Sequence, residues 1–109
     1  MPETVKVLGQ TSPAAGVLSG LYEVPGFASC TVSSIVICNR GDVDGSFRVA
    51  VAIGGADDSP EQYLYYDQMV EKRATFVATI GITLGSADVL RVQAGTSDVS
   101  FNLFGIEVA

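Results

Sequence analysis

Two short segments of the sequence carry residue types that could bind a ligand. The first, Asp42-Val43-Asp44-Gly45, begins like a calcium-binding loop, in which alternating carboxylates supply oxygen ligands. Such a loop needs a glutamate at its twelfth position, and Ile53 stands there instead. We therefore interpret the segment as a solvated acidic hairpin loop, and Asp57-Asp58 beside Pro60 as a turn.

The second segment is the aromatic run Tyr63-Leu64-Tyr65-Tyr66. Tyrosine rings could stack on the apolar face of a sugar, or they could lie in a protein interface, where tyrosine is enriched. If the run is a regular strand, Tyr63 and Tyr65 share one face, and Leu64 and Tyr66 share the other. Sugar binding requires a concave aromatic patch with Asp or Asn at its rim, whereas protein contact requires a flat apolar surface. Of the two, we favour the interface.

The sequence contains few of the residues that usually carry out catalysis. The chain has no histidine, which removes the usual imidazole base, the Ser-His-Asp and Cys-His arrangements and most catalytic zinc sites. Cys30 and Cys38 lie eight residues apart in one predicted strand, roughly 26 Å at the usual rise per residue, which is beyond the reach of a disulfide. We expect two thiols that pack as small apolar groups, no enzyme activity and no cofactor or metal ion.

Composition favours association with other proteins. Hydrophobic residues make up 48% of the 109 residues and charged residues 17%, below the roughly 25% typical of globular domains. A small domain cannot bury this much apolar surface in its own core, so we expect the remainder to be buried in a subunit interface. The net charge of −6 disfavours nucleic acid and anionic membranes as partners. No secretory signal precedes the first predicted strand, so we expect synthesis and folding in a cytoplasm.

The elements that position these residues are predicted to be about eight short strands separated by turn residues, with no amphipathic helix. We expect residues 1–109 to form one all-β domain, an antiparallel β-sandwich of jelly-roll type. An immunoglobulin-like sandwich is the alternative, but its tryptophan landmark is missing. The predicted strands are Val5–Leu8, Val17–Val24, Ala28–Asn39, Phe47–Ile53, Gln62–Tyr66, Arg73–Ile80, Val89–Gln93 and Phe101–Val108.

Three local predictions follow from strict alternation along these strands. In Ala28–Asn39, the even-numbered residues from Cys30 to Cys38 share one face and the odd-numbered residues share the other. In Phe47–Ile53, the odd-numbered residues face the core and the small or polar ones face outward. Asp67–Lys72 is predicted to be a turn or a single helical turn.

The segments LYEVP, SSIVICNRG, YLYYD, TIGITLGSADVLRV and VSFNLFGIEV, between about Val17 and Val108, give the chain a family resemblance. The chain resembles the jelly-roll decoration, or cement, proteins on the heads of tailed bacteriophages. The resemblance implies a virion structural protein that binds the major capsid protein and copies of itself, with no catalytic residues. Sandwiches of tail, baseplate or fibre proteins, which bind a receptor or carbohydrate, are the alternative.

We expect seven residues to make the contacts with neighbouring proteins. The first four lie near the two ends of the chain, and the other three lie on loops or edges. For each of them, ordinary core packing is the competing explanation. They are Val5, Val7, Ile106 and Val108, followed by Phe27, Tyr65 and Tyr66.

Overall fold

The computed structural model describes residues 3–109, which form nine β-strands and two single-turn 3-10 helices at Ile53–Gly55 and Pro60–Gln62. Within these residues, no helix is long and apolar enough to cross a membrane. The strands are β1 (Glu3–Thr11), β2 (Ser19–Glu23), β3 (Ser29–Asn39), β4 (Gly45–Ala52), β5 (Tyr63–Val70), β6 (Thr75–Ala78), β7 (Ile82–Leu84), β8 (Val89–Ala94) and β9 (Val99–Val108).

The strands form two antiparallel sheets. The five-stranded sheet has the order β1-β9-β3, with β6 and β7 both paired to the far edge of β3, and the four-stranded sheet has the order β2-β8-β4-β5. Because β6 pairs with residues 35–38 of β3 and β7 with residues 30–32, the two act as one interrupted strand. Counted in this way, eight strands divide equally between two sheets in jelly-roll order. The predicted all-β sandwich is confirmed.

The core lies between the two sheets. The ring of Phe47 in β4 lies 5.2 Å from that of Phe76 in β6 and 6.3 Å from that of Phe101 in β9, centroid to centroid. Gly105 lets β9 approach β3 closely, since a Cβ atom there would lie 2.4 Å from the carbonyl oxygen of Thr31. The largest fully buried side chains are Phe47, Phe101, Ile35, Ile37, Leu84, Leu90 and Leu103.

A β-bulge in β3 reverses its inward face, so the prediction of one uninterrupted alternation is wrong. The pairing of β3 with β9 shifts register between Val32 and Ser34. Before the shift, Cys30 is buried; after it, the odd-numbered Ile35 and Ile37 are buried and the even-numbered residues are only half-buried. An extra residue in one strand has this effect because side chains alternate with a period of two. Both thiols are free, with Cys30 buried and Cys38 half-buried.

Strands β4 and β5 also differ from prediction. Ile53 was expected to face the core, but it lies in a 3-10 turn and is 78% exposed. Ala50 was expected on the outer face and is fully buried. It pairs with Arg91, whose guanidinium donates to the carbonyl oxygens of Gly55 (3.2 Å) and Ala56 (2.8 Å), so the β4–β5 connection folds over this part of the sheet.

The predicted turn or helical turn at Asp67–Lys72 is also wrong, because β5 continues to Val70. The chain turns only after that residue, where Arg73 adopts a positive φ of 58°.

The loop between β3 and β4 is tied to the β5–β6 turn. Asp42 pairs with Arg73, and Asp44 Oδ1 accepts a hydrogen bond of 3.0 Å from the backbone N–H of Lys72. These carboxylates therefore have donors from the protein itself. No group of three or more Cys, Asp or Glu side chains is placed to hold a metal ion in the described part of the chain.

Asn39, at the end of β3, is the hydrogen-bonding centre of this end of the sandwich. It is 1% exposed. Its side-chain amide donates to the carbonyl oxygens of Val43 (2.9 Å) and Val70 (3.1 Å), and its Oδ1 accepts from the N–H of Gly41 (2.9 Å). One buried side chain thus joins β3, the following loop and the end of β5.

Candidate functional site

The outward side of the five-stranded sheet carries a band of apolar side chains from four strands, which we call the apolar outer face. Antiparallel partners lie on the same side of a sheet, so the pairing of Val5 with Ile106 and of Val36 with Val77 places them together. Val5 is 80% exposed and Val77 is 55% exposed. The face consists of Val5, Val7, Val36, Val77, Phe104, Ile106 and Val108.

The residues around this band are uncharged and small or polar. Thr31 lies beside Ile106, Thr83 lies beside Thr31, and Ser34 lies beside Phe104. Among the residues that the structure places in these ladders, Glu3 at the very end of β1 is the only charged one on this side. Loss of charge combined with exposed apolar groups is the compositional mark of the core of a protein interface.

Charged groups of β1 and β9 turn to the other side of the sheet. Lys6 Nζ lies 3.0 Å from Glu107 Oε1, and the hydroxyl of Tyr22 in β2 donates to Glu107 Oε2. The Tyr22 hydroxyl and then Lys6 hold the pKa of Glu107 below its usual value. Burial, followed by the bond to Glu107, raises the pKa of Tyr22. Burial likewise raises the pKa of the nearby Cys30 thiol.

A second, concave site lies on the outward side of the four-stranded sheet. It is a pocket of about 550 Å³, which we call the tyrosine pocket, lined by Arg48, Asp58, Ser59, Pro60, Tyr63 and Tyr66. The rings of Tyr63 and Tyr66 meet edge to face, with centroids 5.1 Å apart and planes at 89°. Burial and then the neighbouring Asp58 carboxylate raise the pKa of Tyr63.

Arg48 is held rigidly at one side of the tyrosine pocket. Its guanidinium donates to both carboxylate oxygens of Asp67, from Nε at 2.7 Å and from Nη2 at 3.2 Å. The central carbon of this guanidinium, Cζ, lies 3.9 Å above the centroid of the Tyr66 ring. The bond from Arg48 holds the pKa of Asp67 below its usual value. The arginine is thus fixed by a two-point ion pair and a cation–π contact.

Irregularities in β5 create this arrangement. Its pairing with β4 shifts register twice, between Phe47 and Val49 and again between Val49 and Ala50, and Asp67 has a positive φ of 53°. In a regular strand Tyr66 and Asp67 would point to opposite faces, yet both contact Arg48. Tyr63 lines the tyrosine pocket with Tyr66, whereas Tyr65 packs against Phe47 on the core side, so the expectation that Tyr63 and Tyr65 share a face is wrong. Bulges commonly re-aim side chains at binding sites.

The structure divides the seven predicted contact residues among several places. Val5, Val7, Ile106 and Val108 come together on the apolar outer face. Tyr66 belongs to the tyrosine pocket on the other sheet.

The remaining two predicted residues lie apart from both sites. Phe27 is 78% exposed in the β2–β3 loop. Tyr65 packs against the core, with its ring centroid 5.8 Å from that of Phe47 and 5.6 Å from that of Phe76. For Tyr65, ordinary packing is the better explanation.

Sequence reasoning missed several members of both sites. Val36 and Val77 belong to the apolar outer face, but the bulge in β3 hid the outward position of Val36. Arg48 and Asp58 join the tyrosines only because the β4–β5 connection folds back over the sheet. In the sequence, only the alternation of Arg48 with the inward-facing Phe47 and Val49 indicated that Arg48 lies on the outer face.

Comparison of the chain with protein-family models finds no match, and comparison with curated proteins finds no match either.

Proposed function

We propose that this protein is a structural component of a phage virion that decorates and stabilises the outside of the assembled head. In this role the apolar outer face docks on the capsid. The observation that carries the proposal is a sheet face of exposed and half-buried apolar side chains on which, among the described residues of the ladders, Glu3 is the only charged one. The sequence resemblance to decoration proteins supplies the identity of the partner.

The chemical composition of the apolar outer face supports docking, whereas the total accessible area of the protein is ordinary. The accessible surface is 5603 Å², close to the roughly 5,700 Å² expected for a folded monomer of this mass. The apolar outer face holds three of the large exposed hydrophobic residues, Val5, Val7 and Val77. The half-buried side chains of Phe104, Ile106 and Val36 lie between them on β9 and β3. A flat charge-free face can pack on another flat face without leaving a buried charge unpaired, which would cost several kcal/mol.

The mechanism we propose is stabilisation by mass action. A protein that binds the assembled shell but not its free subunits favours the assembled state, and each bound copy adds its own contribution. The excess of acidic residues, with a net charge of −6, would then lie on the particle surface and keep particles apart. Contacts between neighbouring copies of the chain would add to the effect.

A cosedimentation experiment tests this function. Heads of the encoding phage, purified from a strain that lacks the gene, are mixed with wild-type protein, Val77→Lys or Met69→Lys. Val77 and Met69 are each 55% exposed, but Met69 lies on β5 of the other sheet, so the pair is matched for exposure. We expect wild type and Met69→Lys to bind equally and to raise the temperature at which heads rupture. We expect Val77→Lys to bind at least about tenfold more weakly.

Two results would contradict the proposal. One is a wild-type protein that does not sediment with heads, and the other is a Val77→Lys variant that binds as tightly as wild type. Binding to tails or baseplates but not to heads would favour the alternative of a tail, baseplate or fibre module.

A further inference from the structure

The tyrosine pocket lies on the sheet opposite the apolar outer face, so a ligand could enter it while the other face is occupied. Its volume of about 550 Å³ is within the roughly 300–1,000 Å³ usual for small-molecule sites. We propose that this pocket binds a neutral sugar ring.

The charge of the pocket disfavours anions. Its one cation, Arg48, is already neutralised by the two-point contact with Asp67. Asp58 adds a further carboxylate at the rim, with no basic residue among the other lining groups. A phosphate, sulfate or carboxylate would therefore meet a net negative site and lose more solvation than it regains.

Cationic ligands are disfavoured for a different reason. An amine or quaternary ammonium group binds best over the face of an aromatic ring. In the tyrosine pocket that position over Tyr66 is taken by the guanidinium of Arg48, 3.9 Å from the ring centroid. A ligand cation over this ring would have to displace it.

A neutral polyol fits what remains. Tyr66 is 61% exposed, so part of its ring is free to contact the apolar C–H face of a sugar. The Asp58 carboxylate can accept hydrogen bonds from sugar hydroxyls, while the Tyr63 hydroxyl and the guanidinium of Arg48 can donate to them. Aromatic contact on one side and converging polar groups on the other match the amphipathic surface of a pyranose.

Contacts within the chain already orient the groups of the site before any ligand arrives. The ion pair and cation–π contact fix Arg48, and the left-handed Asp67 holds Tyr66 and Asp67 on the same side of β5. A non-glycine residue in this backbone region carries a small conformational cost, which persists where the surrounding structure requires it. Groups that are already in place lose little entropy on binding.

A glycan array followed by NMR tests the proposal. Labelled protein is applied to an array of neutral, sialylated and sulfated glycans, and neutral hexoses and N-acetylhexosamines are titrated while the tyrosine ring signals are recorded. We expect neutral sugars to bind and to shift the signals of Tyr63 and Tyr66. We expect Tyr66→Ala and Asp58→Asn to weaken binding at least about tenfold, and Met69→Ala, which changes an exposed residue of β5 outside the pocket, to stay within about twofold of wild type.

Thermal unfolding of each variant separates loss of the site from loss of the fold. The proposal is overturned if no neutral sugar shifts the ring signals, or if binding survives in folded Tyr66→Ala. Preferential binding of sulfated glycans, or larger shifts with a simple alkylammonium salt than with any sugar, overturns it as well.

Discussion

Replacing Asn39 with Asp is the most direct test of how the structure holds the ends of β3 and β5 together. The side chain is almost isosteric, so the packing changes little. The hydrogen bonds change completely, because the amide that donates to the carbonyl oxygens of Val43 and Val70 becomes an oxygen that can only accept. The bond accepted from the Gly41 N–H can remain.

The expected magnitude follows from the two lost donors. A buried polar group left without a partner costs about 1–3 kcal/mol, and here two carbonyls lose their donor while facing a new negative charge. Asn39 is 1% exposed, so water does not compensate. We expect Asn39→Asp to lower the free energy of unfolding by about 3 kcal/mol or more, a large part of the roughly 5–15 kcal/mol typical of a domain. The melting temperature should fall by more than about 10 °C.

Asn102→Asp is the matched control. Asn102 in β9 is half-buried, and its Oδ1 accepts a 2.7 Å hydrogen bond from Gln10 Nε2, which a carboxylate can equally accept. Urea unfolding of both variants at neutral pH should give a loss below about 0.5 kcal/mol for the control. Equal losses in the two variants would refute the assignment of Asn39 as a hydrogen-bonding centre.

The pH dependence supplies a second readout. In Asn39→Asp the buried carboxyl group has a raised pKa in the folded state, because the charged form is desolvated beside two carbonyl oxygens. Destabilisation is then greatest above that raised folded pKa and shrinks as pH falls toward the ordinary pKa of about 4, since the protonated group can donate one hydrogen bond. A deficit that does not shrink on acidification would contradict this explanation.

Two further predictions concern the five-stranded sheet. Gly105→Ala should lower the free energy of unfolding by about 3 kcal/mol or more in urea titrations, because the new Cβ would lie 2.4 Å from the Thr31 carbonyl oxygen and 3.0 Å from Val32 Cα, whereas Gly81→Ala, with nothing within 4 Å, should change it little. For Glu107, whose pKa is lowered on folding, the ionised carboxylate stabilises the fold above its usual pKa near 4.5, and this stabilisation is lost as pH falls through the folded value. The difference in free energy of unfolding between wild type and Glu107→Gln should therefore be largest at neutral pH and should shrink as pH falls below about 4.5. A difference that does not change with pH would contradict the role given to Tyr22 and Lys6.

The sheet architecture was predictable because its signals are local. Strands such as β8 and β9 alternate apolar with other residues and are bounded by Gly and Asp, so they appear directly in the sequence. Val5, Val7, Ile106 and Val108 of the apolar outer face were predicted as contact residues for the same reason.

The faces of β3 and β5 could not be predicted, because they depend on bulges. A single extra residue at Ser33 or near Asp67 moves the side chains that follow it to the opposite faces of the sheet. Neither position carries a glycine or proline that would mark it in the sequence. Arg48 and Asp58 meet only through tertiary folding of the β4–β5 connection, which short-range patterning does not encode.

The position of β9 between β1 and β3 has a consequence for how the protein is made. β1 has β9 as its partner in the sheet, so β1 stays unpaired until β9 has been synthesised. Pairing over such sequence distances is slow, so completion of the five-stranded sheet should be a late step of folding. Because the apolar outer face is assembled from β1, β3, β6 and β9, it does not exist until that moment. A chain in which β9 is not yet paired would have no completed apolar outer face to present to its neighbours.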